Sequence, residues 1–357
     1  MRLAKSRGLV FAAIASVALL SACSKPEPVV VVEAPPPPPP PVTLNQGVAD
    51  SASVYVSFIR DVGTIPAGGF QDAESIQAAM RRGAAYDPAA LSRGMIAYGS
   101  ILALQSPEFV QGVRTYAVDP TIRAEMVANI SRDPAYAAGL PGAAAAAGLI
   151  AATLGEDITA LTAIAEGVEG DAYTIQERRD PRRRWATQPI ARRETRLESI
   201  KTISAGQMLP SAEDSVRLFA AANSGSGLAL TGTSVQPPFT PAVVHSLAIA
   251  ALAALGAAGE EARSNTEALS IEANSQFCLD MSKLNLFQCL AASRPSYEDM
   301  FCIGRHIVRD LATCTAEAVI RPVPSLAPGT AVAAITPASV AAEASTAALQ
   351  ASGPSPN

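Results

Sequence analysis

Apolar and polar positions alternate with a helical period through most of the chain. Five capping residues stand directly before a proline, and each pair opens an apolar-rich stretch: Asp87-Pro88, Ser106-Pro107, Asp119-Pro120, Asp133-Pro134 and Thr240-Pro241. Ser, Thr and Asp accept hydrogen bonds from the free amides of a first helical turn, and proline fits the first helical position. The segments at Ser211 and Ser296 resemble capping boxes and predict two more starts.

The pattern predicts an all-α fold, a multi-helix bundle. Alternating β-branched runs with hairpin turns are absent from the sequence. The predicted helices cover 48–62, 71–84, 88–105, 107–117, 120–131, 141–154, 157–178, 190–204, 212–222, 241–262, 266–292 and 297–319.

Two of these helices are rich in alanine and glycine, at 141–155 and 241–259. The first is too short to cross a bilayer, which takes about 20 residues. Small side chains let helices approach closely, so we expect both to lie at the centre of a soluble bundle. The alternative is a membrane-inserted hairpin.

The polar and proline-rich segments divide the chain into regions. We predict a helical bundle over 44–222, a Gly/Ser/Pro loop over 223–238, and an Ala-rich helix followed by a helical hairpin over 239–320. The sequence leaves open whether 44–222 and 239–320 are one domain or two. Residues 321–357 consist mainly of Pro, Ala, Ser and Thr, which predicts a disordered tail.

The N-terminus has the layout of an export signal. Arg2, Lys5 and Arg7 precede an apolar run that ends in Leu20-Ser21-Ala22-Cys23. These four residues resemble the lipobox of bacterial lipoproteins. The resemblance covers residues 1–23 only, and it implies that residues 1–22 are removed and that Cys23 carries the lipid, including an amide-linked acyl chain such as palmitate. Ser24 follows Cys23, which implies an outer-membrane anchor facing the periplasm; an ordinary signal peptide with an incidental cysteine is the alternative.

Residues 23–43 form a proline-rich tether in this interpretation. The segment contains seven consecutive prolines, Pro35 to Pro41. A polyproline II helix rises about 3.1 Å per residue, so the tether could hold the domain about 50 to 60 Å from the bilayer. It is either a spacer that presents the domain to the envelope or a generic linker.

Net charge argues against a nucleic-acid partner. The formal charge is −5 for the full chain, and loss of the three basic residues of the signal changes it to −8. Nucleic-acid-binding domains are normally basic. We therefore expect the membrane, through the lipid on Cys23, and an envelope protein or polymer as partners.

Four further cysteines lie in the C-terminal region: Cys278, Cys289, Cys302 and Cys314. Exported proteins are oxidised, so two disulfides are expected, and their spacing lacks the C-x2-C pairs typical of zinc sites. Cysteines 11 residues apart on one helix are about 16 Å apart, whereas disulfides need Cα atoms within about 7 Å. An antiparallel hairpin that turns at Pro295 therefore predicts the pairs Cys289–Cys302 and Cys278–Cys314.

The two pairs do not fit equally well on straight helices. Eleven residues return to within about 20° of the starting face, whereas the 12 residues from Cys302 to Cys314 end about 120° away. We therefore expect one helix to bend or the outer bridge to reach across, with Gly304 providing some freedom.

A basic cluster is the candidate binding site. Eight arginines and the only tryptophan fall between positions 178 and 196: Arg178, Arg179, Arg182, Arg183, Arg184, Trp185, Arg192, Arg193 and Arg196. Arginine binds phosphates and carboxylates in bidentate fashion, and tryptophan stacks on rings, so one interpretation is a site for anionic envelope polymers. The other is a solvated interhelical segment, partly neutralised by nearby acidic residues.

The sequence offers no catalytic constellation, metal site or cofactor motif that we recognise. His245 lies on an apolar helix and is expected to be a hydrogen-bonded core histidine, and His306 to pack near the hairpin. We therefore favour a non-catalytic, lipid-anchored scaffold or binding partner. The alternatives are a carrier of an apolar or lipid ligand and a hydrolase of envelope polymers that uses two carboxylates.

Overall fold

The chain is all-α. A computed structural model describes residues 38–178, 181–225 and 227–320; the predictions for the signal peptide, Cys23, most of the tether, Arg179 and the tail lie outside these residues. The helices are α1 Gln46–Gly63, α2 Ala73–Ala84, α3 Pro88–Ala103, α4 Pro107–Arg114, α5 Pro120–Arg132, α6 Ala143–Arg178, α7 Arg193–Ser204, α8 Ala212–Ser224, α9 Pro241–Ala254, α10 Arg263–Leu269, α11 Ala273–Ala292, α12 Ser296–Ile303 and α13 Asp310–Val319. Short 3-10 segments and a π-helical turn, Gly304–Arg309, join some of them. The described residues contain two isolated β-bridges and no strand.

The five pairs of a capping residue and proline all open helical segments, as predicted. Asp87 accepts from the amide of Ala90 at the start of α3, and Thr240 accepts from Val243 at the start of α9. Asp133 opens a 3-10 segment, Pro134–Gly139, instead of an α-helix. These starts are predictable because each depends on contacts within one turn.

Helix α6 corrects the prediction of two helices, 141–154 and 157–178. It runs without a break for 36 residues. The acidic pair Glu156-Asp157 is typical of a first helical turn, but the buried positions Ile150, Leu154, Leu161 and Ala165 keep a helical spacing across it. A continuous buried face favours a continuous helix.

The continuous helix α6 also bears on the alternative of a membrane-inserted hairpin. Of the described helices it alone is long and apolar enough to cross a bilayer by length and composition, and 28% of its most apolar 18-residue stretch is buried. Core helices of soluble proteins meet the same criteria.

The loop before α9 lies against the start of α6, where the Val235 amide donates to the Ala144 carbonyl at 3.0 Å. A Cβ at Gly148 would collide with the Thr233 carbonyl, so only glycine allows this approach.

Helix α9 is the buried centre predicted from its alanines. Every residue from Leu247 to Ala254 has no exposed surface. It ends at Ala254, earlier than the predicted 262.

The predicted helix 266–292 is also two helices. His245 Nδ1 forms a 2.7 Å hydrogen bond with the Leu269 carbonyl at the end of α10, and Glu272 caps the start of α11.

Helices from both sides of the 223–238 loop share one core. Helix α1 packs on α3 and α8, and α3 packs on α9. Leu44 forms a parallel bridge with Ala258. Residues 38–320, as far as they are described, therefore belong to one compact unit.

The C-terminal hairpin contains both predicted disulfides. Cys289–Cys302 closes the turn with a Cα–Cα distance of 5.8 Å, and Cys278–Cys314 joins α11 to α13 at 5.6 Å. The predicted pairing is confirmed.

The π-helical turn explains how both pairs fit one face. Gly304–Arg309 lies between Cys302 and Cys314. A π-turn holds one residue more than an α-turn, so the 12-residue spacing covers about the rotation of 11 α-helical residues and ends near the starting face. The π-turn therefore accommodates the extra residue between Cys302 and Cys314. Gly304 packs against α6, where a Cβ would lie 2.8 Å from Glu169 Cγ.

Candidate functional site

The structure divides the predicted arginine cluster among several environments. Arg178 ends α6, Arg182 to Trp185 lie in the 3-10 segment Pro181–Thr187, and Arg192, Arg193 and Arg196 lie at the start of α7. Arg179 lies outside the described residues. Arg182 and Arg184 are exposed, and Trp185 is half-buried against the core.

Arg196 is a structural residue of the interior. It is 8% exposed, and its guanidinium forms an ion pair with Asp299, which is fully buried. It also donates to the Leu290 carbonyl and to Ser293 Oγ, the latter at 3.1 Å. Its Nε is buried without a hydrogen-bond partner. Arg196 therefore fastens α7 to the turn between α11 and α12.

Arg193 binds the same turn from outside. Its Nε donates to the Ser293 carbonyl at 2.7 Å, and its Nη2 donates to the Ala291 carbonyl at 2.6 Å. The last carbonyls of a helix lack partners within the helix and favour a cation. Arg193 satisfies this need at the end of α11.

Arg183 forms a bidentate ion pair with Asp171 of α6, with a distance of 2.7 Å from Nη2 to Oδ2. Asp171 also accepts from the amide of Gly69 at 2.6 Å. The Arg183 hydrogen bonds, helped by the Gly69 amide, hold the pKa of the Asp171 carboxyl below its usual value.

Trp185, Arg192 and Arg196 line one cleft, with a volume of about 610 Å³. Its walls come from α2, the 185–192 segment, α7 and the start of α12: Ala73, Glu74, Gln77, Arg81, Trp185, Gln188, Pro189, Ile190, Ala191, Arg192, Thr195, Arg196, Ser199, Ile200 and Ser296. The Ile190 amide donates to the Arg294 carbonyl at 2.7 Å, which holds this segment against the α11–α12 turn. We refer to this site as the Trp185 cleft.

Arg192 is the exposed cation of the Trp185 cleft. It forms no ion pair with any described residue, whereas Arg81 on the opposite wall is paired with Glu74 at 2.5 Å. Its backbone is left-handed, with φ of 53°, and it is the only such non-glycine residue in the described part of the chain. A side chain in this conformation costs about 1–2 kcal/mol.

The amino end of α7 adds to the positive character of the cleft. No side chain caps the first turn, in which Arg192 occupies the N-cap position. Free first-turn amides and the helix dipole favour an anion. The cleft therefore offers an anionic group the guanidinium of Arg192 and the uncapped start of α7, and Trp185 lines the same cleft.

The two histidines do not line the Trp185 cleft. His245 is hydrogen-bonded, as predicted, and His306 lies in the π-turn with Nδ1 3.2 Å from Asp310 Oδ2. Glu74 is the one carboxylate among the described residues that line the Trp185 cleft. Sequence reasoning missed the wall from α2, which lies about 110 positions upstream, although the lack of a capping residue before Arg193 could have indicated an open helix start.

Comparison of the chain with protein-family models, with curated proteins and with solved structures found no match.

Proposed function

We propose that this chain is a lipid-anchored protein of the bacterial envelope that binds, without catalysis, an anionic group of an envelope polymer in the Trp185 cleft. The lipobox at residues 20–23 supports the anchor, with the lipid on Cys23 in the outer membrane and the domain facing the periplasm. The observation that carries the binding role is Arg192, an exposed guanidinium without an ion-pair partner among the described residues, at the open start of α7 and in the same cleft as Trp185.

The cleft suits a polymer that carries carboxylates or phosphates next to sugar rings. A guanidinium binds either anion in bidentate fashion. The indole of Trp185 offers an apolar face for a ring, and its polar edge tolerates water. Envelope polymers such as peptidoglycan combine rings with carboxylates, and lipopolysaccharide combines them with phosphates.

The Trp185 cleft and the Ala-rich helices suit the proposed binding better than the two alternatives. A carrier with a ligand slot between the Ala-rich helices needs a cavity of about 300 Å³ or more there, but Leu247 to Ala254 of α9 have no exposed surface, and the cavity at Pro241 and Ala242 measures about 40 Å³. A glycan hydrolase uses two carboxylates about 5–10 Å apart. Glu74 alone is available in the described lining of the Trp185 cleft, and it is ion-paired.

Substitution of Arg192 or Trp185 should weaken polymer binding. We expect Arg192→Ala and Trp185→Ala each to raise the Kd for purified peptidoglycan or for lipopolysaccharide about tenfold, since each removes one strong contact of about 1.4 kcal/mol. Co-sedimentation of the soluble domain with each polymer measures this. Comparison of the two polymers identifies the anion as carboxylate or phosphate.

Arg184→Ala is the matched control. Arg184 belongs to the same cluster and is also exposed, but it does not line the cleft. Its removal should leave the Kd unchanged. Equal losses of affinity for Arg184→Ala and Arg192→Ala would mean that binding depends on general charge attraction and not on the cleft. Lack of binding to both polymers would refute the proposed ligand.

Cys23→Ser should abolish lipid attachment. The lipobox mechanism modifies the cysteine sulfur, so metabolic labelling with a fatty acid should be lost and the chain should no longer sediment with membranes. The double variant Cys278→Ser/Cys314→Ser should keep its label, because those cysteines are paired with each other. Labelling that survives Cys23→Ser would refute the anchor.

A further inference from the structure

A second concave surface lies on the C-terminal hairpin. It is a groove of about 380 Å³ whose walls come from the antiparallel helices α11 and α13. The Cys278–Cys314 disulfide lines the groove and joins the two helices. The Ser282 hydroxyl donates to the His306 carbonyl at 3.1 Å, one turn further along α11. The two walls of the groove are therefore fixed relative to one another.

The α11 side of the groove is apolar and exposed. Phe277 and Met281 line it and are 66% and 38% exposed. Leu284, three positions after Met281, continues the same face of the helix. Of the 12 large apolar side chains that are exposed in the described part of the chain, five lie on or directly beside α11 and α13: Ile271, Phe277, Met281, Leu284 and Ile320. A concentration of this kind marks a surface that contacts another molecule.

The α13 side of the groove is acidic. Asp310 and Glu317 line it, and no lysine or arginine is among the described lining residues. Glu317 is exposed and forms no ion pair with any described residue, and its Oε2 lies 3.7 Å from Cys278 Sγ. Asp310 has only His306 nearby, at 3.2 Å. An occupant that turns positive charge toward α13 and apolar side chains toward α11 is complementary to this surface.

The basic residues next to the lining in sequence do not neutralise these carboxylates. Lys283 donates to the carbonyls of Tyr86 and Ser204, which lie at the ends of α2 and α7. Arg309 is paired with Glu169 of α6 at 2.6 Å. Both cations are therefore bound to other helices, and the groove keeps its negative charge.

The spacing of the carboxylates matches an α-helix. Asp310 and Glu317 are seven residues apart on α13, about 10.5 Å along the axis. Lysines or arginines seven residues apart on a second helix have the same separation and can face both carboxylates at once. Apolar residues three or four positions apart on that helix then face Phe277 and Met281. Amphipathic helices dock in apolar grooves in this manner.

We infer that the groove between α11 and α13 binds a basic amphipathic helix of a partner protein, with the apolar face of that helix on Phe277 and Met281 and its cations on Asp310 and Glu317. This docking surface belongs to the hairpin and does not depend on the Trp185 cleft.

Two synthetic peptides test the chemistry of the occupant. Both are amphipathic helices about four turns long with leucines on one face; one carries lysines at seven-residue intervals beside that face, and the other carries glutamates there. Fluorescence anisotropy measures binding to the full mature chain, prepared as Cys23→Ser so that it carries no lipid. The Kd of the lysine peptide should be lower by about tenfold or more. Equal Kd values, tighter binding of the glutamate peptide, or no saturable binding would overturn the inference.

Two matched pairs of variants locate the lysine peptide. Phe277→Ser should raise its Kd about tenfold, whereas Val216→Ser, at a 70% exposed position of α8, should not change it. Glu317→Lys should raise the Kd about fivefold, whereas Glu125→Lys makes the same change of charge at an exposed position of α5 and should have little effect. Equal effects within either pair would overturn the inference, because binding would then follow general hydrophobicity or net charge.

Sedimentation of the same chain without peptide tests a second copy as the occupant. The chain should remain monomeric at the concentrations at which it binds the lysine peptide. A dimer that Phe277→Ser dissociates would overturn the inference and assign the groove to a contact between copies.

Discussion

Arg196→Met should lower the free energy of unfolding by about 3–5 kcal/mol. The substitution leaves the Asp299 carboxylate fully buried without its cation, which is the costly way to break a buried ion pair. It also removes a donor from the Leu290 carbonyl at the end of α11. Urea unfolding followed by circular dichroism measures the loss.

Two further variants separate the charge effect from general damage. Arg196→Met/Asp299→Asn removes both charges and should recover a large part of the lost stability, since the neutral amide can still bond with Gln77 and Ser293, the other partners of Asp299. Arg192→Met changes an exposed arginine of the same cluster and should alter the unfolding free energy by less than about 0.5 kcal/mol. A loss below about 1 kcal/mol for Arg196→Met would contradict the buried ion pair.

The contrast between Arg192 and Arg196 marks the limit of what the sequence could predict. Both arginines belong to one dense cluster, and no residue close to Arg196 along the chain indicates that it is buried. Their roles differ because Asp299 and the α11–α12 turn, about 100 residues later, reach one of them and not the other. The sequence around Asp299 indicates only an acidic residue in the first turn of a helix.

Local chemistry explains the part of the fold that was predictable. Helix starts at Asp87 or Thr240 depend on a side chain and an amide three residues apart. Helix ends and fusions depend on distant partners. His245 forms a hydrogen bond with the carbonyl at the end of α10, and the buried face of α6 continues from Leu154 to Leu161 because other helices pack against it. The α2 wall of the Trp185 cleft also depends on residues that are distant along the chain, so no local pattern predicts it.

The cysteine pairs show how a tertiary constraint can act back on a helix. The pairing followed from antiparallel geometry, but the straight-helix rotation for the outer pair was wrong by about one residue. The π-turn at Gly304–Arg309 supplies that residue and places Cys314 opposite Cys278. The Cys278–Cys314 disulfide and the π-turn are therefore consistent with one another, and each supports the position of the other.

Removal of the disulfide that closes the longer loop should destabilise the chain more than removal of the other. Cys278→Ser/Cys314→Ser opens a sequence separation of 36 residues, and Cys289→Ser/Cys302→Ser opens one of 13. Chain entropy in the unfolded state then gives losses of about 4 and about 3 kcal/mol, respectively. Urea unfolding of each double variant under oxidising conditions measures these losses.

Reduction supplies the control for these variants. In the presence of reductant, the unaltered chain and both double variants should unfold at nearly the same urea concentration, since none then has a bridge. A persistent difference would point to altered packing by serine instead of the lost crosslink. A larger loss for the inner pair than for the outer pair would contradict the entropic explanation, because the shorter loop restricts the unfolded chain less.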